Sequence, residues 1–348
     1  MSNLLKLLPT SLKDSLKELV DKNQLLRFIY AKTIVRGYQT RGYPTSVTIE
    51  LTDRCNLRCS YCPKSKGVGV SGGDMGFTLF KYIVDEANAF HPVEQMILVG
   101  YGEPLLYPKL INAIEYVKDK YPYTEVVITT NGILLDKYIG RRLINSGLDT
   151  LTISVNSGLA ERYKKLNNAD KYELVVENTR NFLQLLNRYG TKRKPSTYVQ
   201  ILQTVNTEKE IKDFVDYWSF YVSPNARITF NPMCNWGGQL GIEGYTSKKM
   251  NRYPCEQLQR SLIVTREGRV IPCCAILPES AGDLVLGNIK DSSFEKLYTK
   301  GKIEYLRRLD LEGGIGSLKP CATCDSWQIS PNAWFKNPLH KFGKRLWI

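Results

Sequence analysis

Three cysteines with the spacing C-x3-C-x2-C, at Cys55, Cys59 and Cys62, are the most chemically informative feature of the sequence. They come directly after an alternating apolar run, residues 47–51, so they lie in a short loop that follows a predicted strand. Iron–sulfur cubanes usually take four cysteine thiolates, and so short a loop can supply only three. One iron atom would then be open to another ligand. Zinc sites prefer paired C-x2-C modules and four protein ligands, so the spacing favours a cluster over zinc or over incidental buried thiols.

This run resembles the signature of the radical S-adenosylmethionine superfamily. The resemblance implies that the three thiolates hold a 4Fe–4S cluster whose open iron chelates S-adenosylmethionine, and that Tyr61 packs near the adenine. One electron from a flavodoxin- or ferredoxin-type reductant would then lead to a 5′-deoxyadenosyl radical that abstracts a substrate hydrogen atom. The cofactors carry this chemistry, while the protein positions them and excludes water.

The elements that must position this loop alternate between strand and helix. Strands are predicted at residues 47–51, 95–99, 125–129, 150–155, 197–203 and 226–230, and amphipathic helices at residues 78–90, 108–120, 134–146, 171–188 and 208–221. Six such repeats imply an α/β fold with parallel strands and right-handed crossovers. The number is two short of a closed eight-stranded barrel. It resembles the partial (β/α)6 barrel of the radical S-adenosylmethionine core.

Ligands of such barrels bind at the carboxyl ends of the strands, and a glycine-rich run follows the second predicted strand. The run Gly100-Tyr101-Gly102-Glu103-Pro104 resembles the family's Gly-Gly-Glu-Pro motif, with Tyr101 where the first glycine usually lies. Gly100 and Gly102 allow close approach of the backbone. The resemblance implies that Glu103 binds the amino group of S-adenosylmethionine.

Polar side chains also lie just after the third predicted strand and at the end of the fourth. The resemblance implies that Asn131, Ser154 and Asn156 contact the ribose hydroxyls or the methionyl carboxylate of S-adenosylmethionine. Turn capping and ordinary strand polarity explain these residues equally well.

Cys234 follows the sixth predicted strand, within the run Asn231-Pro232-Met233-Cys234-Asn235-Trp236-Gly237-Gly238. Most isolated cysteines are small, inert apolar residues. The functional alternative is a hydrogen-atom donor that quenches a substrate radical and inverts a stereocentre.

Four further cysteines, Cys255, Cys273, Cys321 and Cys324, form a second candidate metal site. A hairpin with a glycine turn separates the first two, and four thiolates could bind zinc or a cubane. The spacing resembles the SPASM and twitch domains of the superfamily, which implies a second, auxiliary 4Fe–4S cluster. Since no cysteine follows Cys324, the resemblance is to the single-cluster twitch form. Cys274 is the alternative to Cys273, which fits the glycine spacing better.

Composition restricts the remaining classes. The chain has 348 residues, a net charge of +14 and nine cysteines. No run of about 20 apolar residues and no secretory signal pattern occurs, so the cysteines indicate a reducing cytoplasm and metal binding. The positive charges are scattered, which argues against nucleic acid as a partner. Two histidines far from the motifs argue against histidine-based catalysis.

We therefore divide the chain into an N-terminal helical segment (1–46), a partial barrel (47–235), a small α+β SPASM/twitch domain (236–330) and a basic aromatic tail (331–348). The N-terminal segment is interpreted as a lid on the barrel, with an interfacial helix on anionic lipid as the alternative. The tail is expected to pack on the barrel or, as the alternative, to lie with the N-terminal helix on a membrane surface as a peripheral contact.

The predicted function is hydrogen abstraction from a carbinol carbon of a sugar, nucleotide sugar or aminocyclitol, which gives oxidation or epimerisation. The basic charge balance favours an anionic, phosphorylated small-molecule substrate. The first alternative is a peptide-modifying maturase, although the segment before the barrel is short for a peptide-recognition domain. The second is a non-catalytic iron–sulfur or RNA-binding protein.

Overall fold

The computed structural model describes residues 42–67, 72–188, 194–203, 208–240, 254–276 and 278–324, together with residues 23, 25, 26, 29 and 37. The predicted tail (331–348) and most of the predicted N-terminal segment lie outside these residues. No helix among the described residues is both long and apolar enough to cross a membrane.

Six parallel strands form one continuous part of the sheet, in the order β6-β5-β4-β3-β2-β1. The strands are β1 (Ser46–Ile49), β2 (Gln95–Ile97), β3 (Glu125–Thr130), β4 (Thr150–Asn156), β5 (Ser196–Gln203) and β6 (Ala226–Pro232). Chain order and spatial order agree, as expected for successive βα units. The predicted α/β class is confirmed.

The helices that cross between these strands are α1 (Phe77–Phe90), α2 (Leu110–Lys120), α3 (Lys137–Asn145), α4 (Ala160–Asn167), α5 (Tyr172–Arg188) and α6 (Glu208–Trp218). Their bounds agree with prediction to within three residues, except that α4 was not predicted. In α4 only Tyr163 and Asn167 are buried, so the helix has no apolar stripe to reveal it. Asn168, in the left-handed region at φ 51°, ends the helix.

The C-terminal unit continues the same sheet. It contains α7 (Glu256–Arg260), β7 (Ser261–Val264), β8 (Arg269–Ile271), β9 (Gly287–Asn288), α8 (Phe294–Thr299) and α9 (Lys302–Leu311). The predicted hairpin is present as β7 and β8, with Gly268 at φ +90° in the turn. The sequence did not predict that β7 pairs in parallel with β1, with Val47 opposite Leu262, so that the sheet has nine strands in the part of the chain that the structure describes.

Strand β7 joins two hydrophobic cores. Leu262 and Val264 belong to the large core of the parallel sheet, whereas Ile263 belongs to the core of the C-terminal unit. All three side chains are buried, and burial of such a side chain contributes about 1.5–3 kcal/mol. The strand therefore fastens the C-terminal unit to the edge of the parallel sheet.

Candidate functional site

The three cysteines after β1 are partly buried and lie near one another. Burial disfavours the thiolate and raises the pKa of each thiol, in the case of Cys59 to about 12. Cys55 and Cys62 raise the pKa of Cys59 further by charge repulsion. Lys64 and Arg58 oppose this rise at Cys55 and Cys62, and the iron of a bound cluster would stabilise the three thiolates further.

Backbone hydrogen bonds and one ion pair hold the loop that carries these cysteines from two sides. Asp53 N–H donates to the carbonyl of Gly73 (3.1 Å), and the Arg54 guanidinium forms an ion pair with Asp74 (2.7 Å). Glu103 N–H donates to the carbonyl of Arg54 (2.8 Å). The cysteine loop is thus held between the segment that precedes α1 and the Gly-Glu-Pro loop that follows β2.

Helix α4 supports the other side of the loop. Ser60 N–H donates to the carbonyl of Leu166 (2.8 Å), and the Tyr61 hydroxyl donates to Asn167 Oδ1 (2.8 Å). The Cys59 thiol approaches the same oxygen (3.3 Å). Sequence reasoning missed Asn167, and no spacing in the sequence indicates that a residue 108 positions after Cys59 contacts it.

The two glycines of the Gly-Glu-Pro loop allow close packing of the chain on itself. A Cβ atom on Gly102 would collide with the Thr52 carbonyl and lie 2.6 Å from the Arg54 carbonyl oxygen. A Cβ on Gly100 would lie 2.6 Å from Cβ of Glu50. We expected these glycines to let the backbone approach a ligand. In the structure they let the Gly-Glu-Pro loop approach the segment from the end of β1 to the cysteine loop.

Glu103 is buried at the carboxyl ends of β2 and β3. Its carboxylate accepts hydrogen bonds from the Thr130 hydroxyl (2.6 Å), from Asn131 N–H (2.8 Å) and from Leu105 N–H (3.0 Å). Burial raises the pKa of Glu103, although these three donors oppose the shift. A carboxylate can accept about four hydrogen bonds, so the donors in the described part of the chain leave one position for an ammonium group.

The structure brings Asn131 and Asn156 to the cysteine loop, but not Ser154. Asn131 Nδ2 donates to Asn56 Oδ1 (2.7 Å), and Asn156 Nδ2 donates to the Tyr61 hydroxyl (2.6 Å). Asn156 Oδ1 is buried without a hydrogen-bond partner among the described residues. The Ser154 hydroxyl instead accepts from Gln200 Nε2 on the adjacent strand (3.2 Å).

These residues fit the cofactors of a radical S-adenosylmethionine enzyme. Three partly buried thiols suit an iron–sulfur cluster, the remaining position on Glu103 suits an ammonium group, and the buried oxygen of Asn156 suits a hydroxyl donor such as ribose. Across the described residues, no three His, Cys, Asp or Glu side chains converge at the spacing of a single bound ion. Thiolates of a cubane bind separate irons, so that spacing is not required.

The four C-terminal thiols also lie together. Cys255, Cys273 and Cys321 pack against the core of the C-terminal unit, and Cys255 and Cys324 raise the pKa of Cys273 by charge repulsion. Cys274 is exposed. A hydrogen bond between the adjacent thiols raises the pKa of Cys273 and lowers that of Cys274 to about 7. The packing of Cys273 on the same core as Cys255 and Cys321, and not these pKa shifts, favours Cys273 as the fourth member of the set.

The Gly-Glu-Pro loop contacts the auxiliary cysteine loop through Tyr101. Its hydroxyl donates to the carbonyls of Cys274 (3.2 Å) and Ile276, and its ring centroid lies 6.2 Å from that of Trp236. This side chain therefore joins the Gly-Glu-Pro loop to the auxiliary cysteine loop.

Cys234 is partly buried in the segment that follows β6, two residues before Trp236. This segment is tied to the C-terminal unit, because Asn235 Nδ2 donates to the Thr323 carbonyl (2.7 Å) and Gln239 Nε2 to the Ala275 carbonyl (3.1 Å). Cys234 is thus near the same junction.

Comparison with protein families gives two matches. Residues 49–217 match the model described as the radical SAM superfamily, and residues 255–325 match the SPASM model, described as an iron–sulfur cluster-binding domain. Both cysteine sets fall inside these ranges.

Curated relatives match at low identity. A GTP 3′,8-cyclase of Lactiplantibacillus plantarum is 30% identical over 54% of this chain and 55% of its own length. A tungsten-containing aldehyde ferredoxin oxidoreductase cofactor-modifying protein of Pyrococcus furiosus is 28% identical over 80% of this chain and 87% of its own length. The chain spans about half the length, or less, of the GTP 3′,8-cyclases and related proteins that it matches.

Among solved structures, BtrN in complex with AdoMet and 2-DOIA is similar to this chain with a TM-score of 0.55 and 18% identity. The match covers 81% of this chain and 92% of that one. At that identity it supports the fold of barrel and C-terminal unit.

Proposed function

The chain belongs to the radical SAM superfamily and carries a C-terminal iron–sulfur cluster-binding domain of the SPASM type, and from this premise we propose that it oxidises a carbinol carbon of a carbohydrate-like substrate. Its cofactors are S-adenosylmethionine, a 4Fe–4S cluster and an auxiliary iron–sulfur cluster. When bound, they supply a 5′-deoxyadenosyl radical and a one-electron acceptor. The substrate would lose a hydrogen atom, a proton and an electron, and its alcohol would become a ketone.

In this proposal Cys55, Cys59 and Cys62 hold the first cluster, and Glu103 and Asn156 bind S-adenosylmethionine. Gly100, Gly102 and Asn131 shape the same pocket. Cys255, Cys273, Cys321 and Cys324 hold one auxiliary cluster of the twitch type, with every ligand a protein thiolate. An external reductant of the flavodoxin or ferredoxin type supplies the first electron. The thiols suit a reducing compartment, which we propose is the cytoplasm.

The observation that carries the proposal is the contact of Tyr101 with the loop that contains Cys273 and Cys274. Oxidation of a carbinol radical needs an electron acceptor next to the site where the radical forms. The Tyr101 hydroxyl fastens the Gly-Glu-Pro loop to the carbonyls of Cys274 and Ile276. This contact supports an auxiliary cluster close enough to the pocket to receive that electron.

A charged substrate is supported by the net charge of +14. The GTP 3′,8-cyclase that matches half of the chain is named for a phosphorylated ribonucleoside substrate. We therefore propose a phosphorylated carbohydrate, with nucleotide sugars as the first group to examine.

Epimerisation is the second candidate, because Cys234 lies in the segment that contacts both Tyr101 and the auxiliary loops. A thiol at that junction could return a hydrogen atom to the substrate radical. The proton of the thiol exchanges with solvent, so the returned atom would carry a solvent label.

The test is anaerobic reconstitution with iron and sulfide, followed by reductive turnover with a panel of nucleotide sugars in deuterated water. A product two mass units lighter, without deuterium, supports oxidation. Solvent deuterium at one sugar carbon, lost in Cys234→Ala, supports epimerisation instead. Formation of 5′-deoxyadenosine that no sugar stimulates would refute a carbohydrate substrate. The Cys55→Ala/Cys59→Ala/Cys62→Ala variant is the control without S-adenosylmethionine cleavage.

A further inference from the structure

The parallel sheet has a face opposite the helices, which we call its inner face. On the other face the strands pack against the helices in the large core, which includes Ile128, Leu151, Val199 and Ile228. Successive side chains of a strand point to opposite faces of the sheet. The residues that alternate with these core residues therefore lie on the inner face.

The register of β3 to β6 arranges part of the inner face in two polar layers. The first layer consists of one residue from each strand, paired in sequence: Thr129, Thr152, Tyr198 and Arg227. The second layer consists of Ser154, Gln200 and Thr229. Branched apolar side chains usually fill the interior of a closed β/α barrel. Here all seven residues are polar and all but Gln200 are partly exposed, so the layers form an accessible polar surface and not a packed core.

Arg227 is the one cation of these two layers. Its guanidinium makes no hydrogen bond or ion pair with any residue that the structure describes, whereas Arg162 and Arg266 are paired with Glu210 and Asp53. A guanidinium presents five N–H donors in a rigid fork that matches the oxygen atoms of a phosphate group. Arg227 is therefore available to an anion on the inner face.

The first layer connects Arg227 to the pocket of Glu103. Thr129 precedes Thr130, whose hydroxyl donates to the Glu103 carboxylate (2.6 Å). From β3 to β6 the layer crosses three spacings between strands of about 4.8 Å each, which is roughly 14 Å. An extended sugar phosphate and the long arginine side chain together can span that distance. A substrate could thus place its carbinol carbon near Glu103 and its phosphate near Arg227.

We propose that Arg227 binds the phosphate group of the substrate on the inner face of the sheet, with the neighbouring Tyr198 hydroxyl as a second donor. The substrate class comes from the proposed function, so this assignment rests on it. Arg227 would determine specificity, because it selects phosphorylated over neutral carbohydrates.

The experiment measures binding without turnover. Calorimetric titrations use anaerobically reconstituted protein with saturating S-adenosylmethionine and no reductant. The phosphorylated probes are glucose 1-phosphate and uridine diphosphate glucose, and glucose is the neutral probe. We expect wild type to bind a phosphorylated probe more tightly than glucose. Arg227→Gln should weaken that binding about tenfold or more, since it removes charge-assisted hydrogen bonds. Arg227→Lys should bind at an intermediate level, because it keeps the charge but not the fork.

Arg141→Gln is the matched control. Arg141 is exposed on helix α3, so this variant loses the same charge away from the inner face and should bind the probes as wild type does. Arg227→Gln should also melt near the wild-type temperature, because the guanidinium has no partner to lose among the described residues.

Two results would overturn the proposal. One is wild type that binds neither phosphorylated probe more tightly than glucose, and the other is Arg227→Gln that binds them as tightly as wild type or no more weakly than Arg141→Gln. The oxidation test is separate, because it depends on reductive turnover. Phosphate binding through Arg227 without ketone formation would refute oxidation and leave this site in place.

Discussion

Gly102 packs tightly on the backbone that leads into the cysteine loop, because it has no side chain. Its Cα lies so close to the Thr52 and Arg54 carbonyls that a methyl group cannot be added without moving backbone. Overpacking of this kind costs about 1–3 kcal/mol. We predict that Gly102→Ala lowers the free energy of unfolding of the apoprotein by about 2 kcal/mol, measured by urea denaturation, and reduces the iron content of the first cluster.

The matched control is Gly316→Ala. Among the described residues no heavy atom lies within 4 Å of an added Cβ at Gly316, and its φ is not in the left-handed region. Substitutions of that kind usually change stability by less than about 0.5 kcal/mol. Equal effects of the two substitutions would show that contact with the cysteine loop does not constrain Gly102.

The sequence predicted most of the residues that belong to the candidate site, but it predicted only some of the contacts that they make. Fixed spacing along the chain identified the cysteines, and strand order placed Glu103 beside them. The carboxylate's three donors, Leu105, Thr130 and Asn131, come from the segment after β2 and from the end of β3. Nothing local in the sequence encodes such a meeting. Asn167 remained hidden for the same reason, since its role depends on a contact between distant segments.

At the scale of elements, the ion pair between Arg266 and Asp53 connects the β7–β8 turn to the cysteine loop. Arg266 Nε lies 2.9 Å from Asp53 Oδ2, and the two side chains are 17% and 8% exposed. Removal of one partner of a buried pair costs about 3–5 kcal/mol, and the partial exposure of Arg266 places this pair at the lower end. We predict that Arg266→Ala lowers the unfolding free energy by about 3 kcal/mol, measured by denaturation. The substitution should also weaken the binding of the first cluster, measured as a faster release of iron.

Arg269 on the same hairpin provides the comparison. Its guanidinium is one-third exposed and lies 3.4 Å from Glu267 and 3.5 Å from Glu279. Exposed pairs contribute about 0–1 kcal/mol, so Arg269→Ala should have a small effect and leave iron release unchanged. If iron release rises as much in Arg269→Ala as in Arg266→Ala, the turn does not act through Asp53.

The elements themselves divide into those that the sequence reveals and those that it does not. Apolar periodicity located the six strands of the parallel sheet and five of its helices, because each buries a regular stripe. Helix α4 lacks the stripe, and its sequence reads as polar. The pairing of β7 with β1 joins residues more than 200 positions apart. Local pattern predicts that β7 is a strand, but the choice of its neighbour is set by tertiary packing.

At the scale of the whole molecule, the two cysteine sites belong to one connected structure. One sheet carries both, strand β7 contributes to both cores, and Tyr101 joins the Gly-Glu-Pro loop to the loop of Cys274. Such a molecule can divide its work: one site generates the radical, while the other supports the step that follows. Loss of the second site should therefore separate the two steps.

Cys273→Ala tests this division, with Cys274→Ala as its neighbour control. Cys273 packs with Cys255 and Cys321, whereas Cys274 is exposed, so only Cys273→Ala should lose the auxiliary cluster, which is about four irons per chain. Both variants should still cleave S-adenosylmethionine under reducing conditions, because the first cysteine set is intact. Only Cys274→Ala should convert substrate to ketone. Iron analysis and product mass spectrometry decide the result. Full iron content in Cys273→Ala, or ketone formed without the auxiliary cluster, would contradict the assigned division of work.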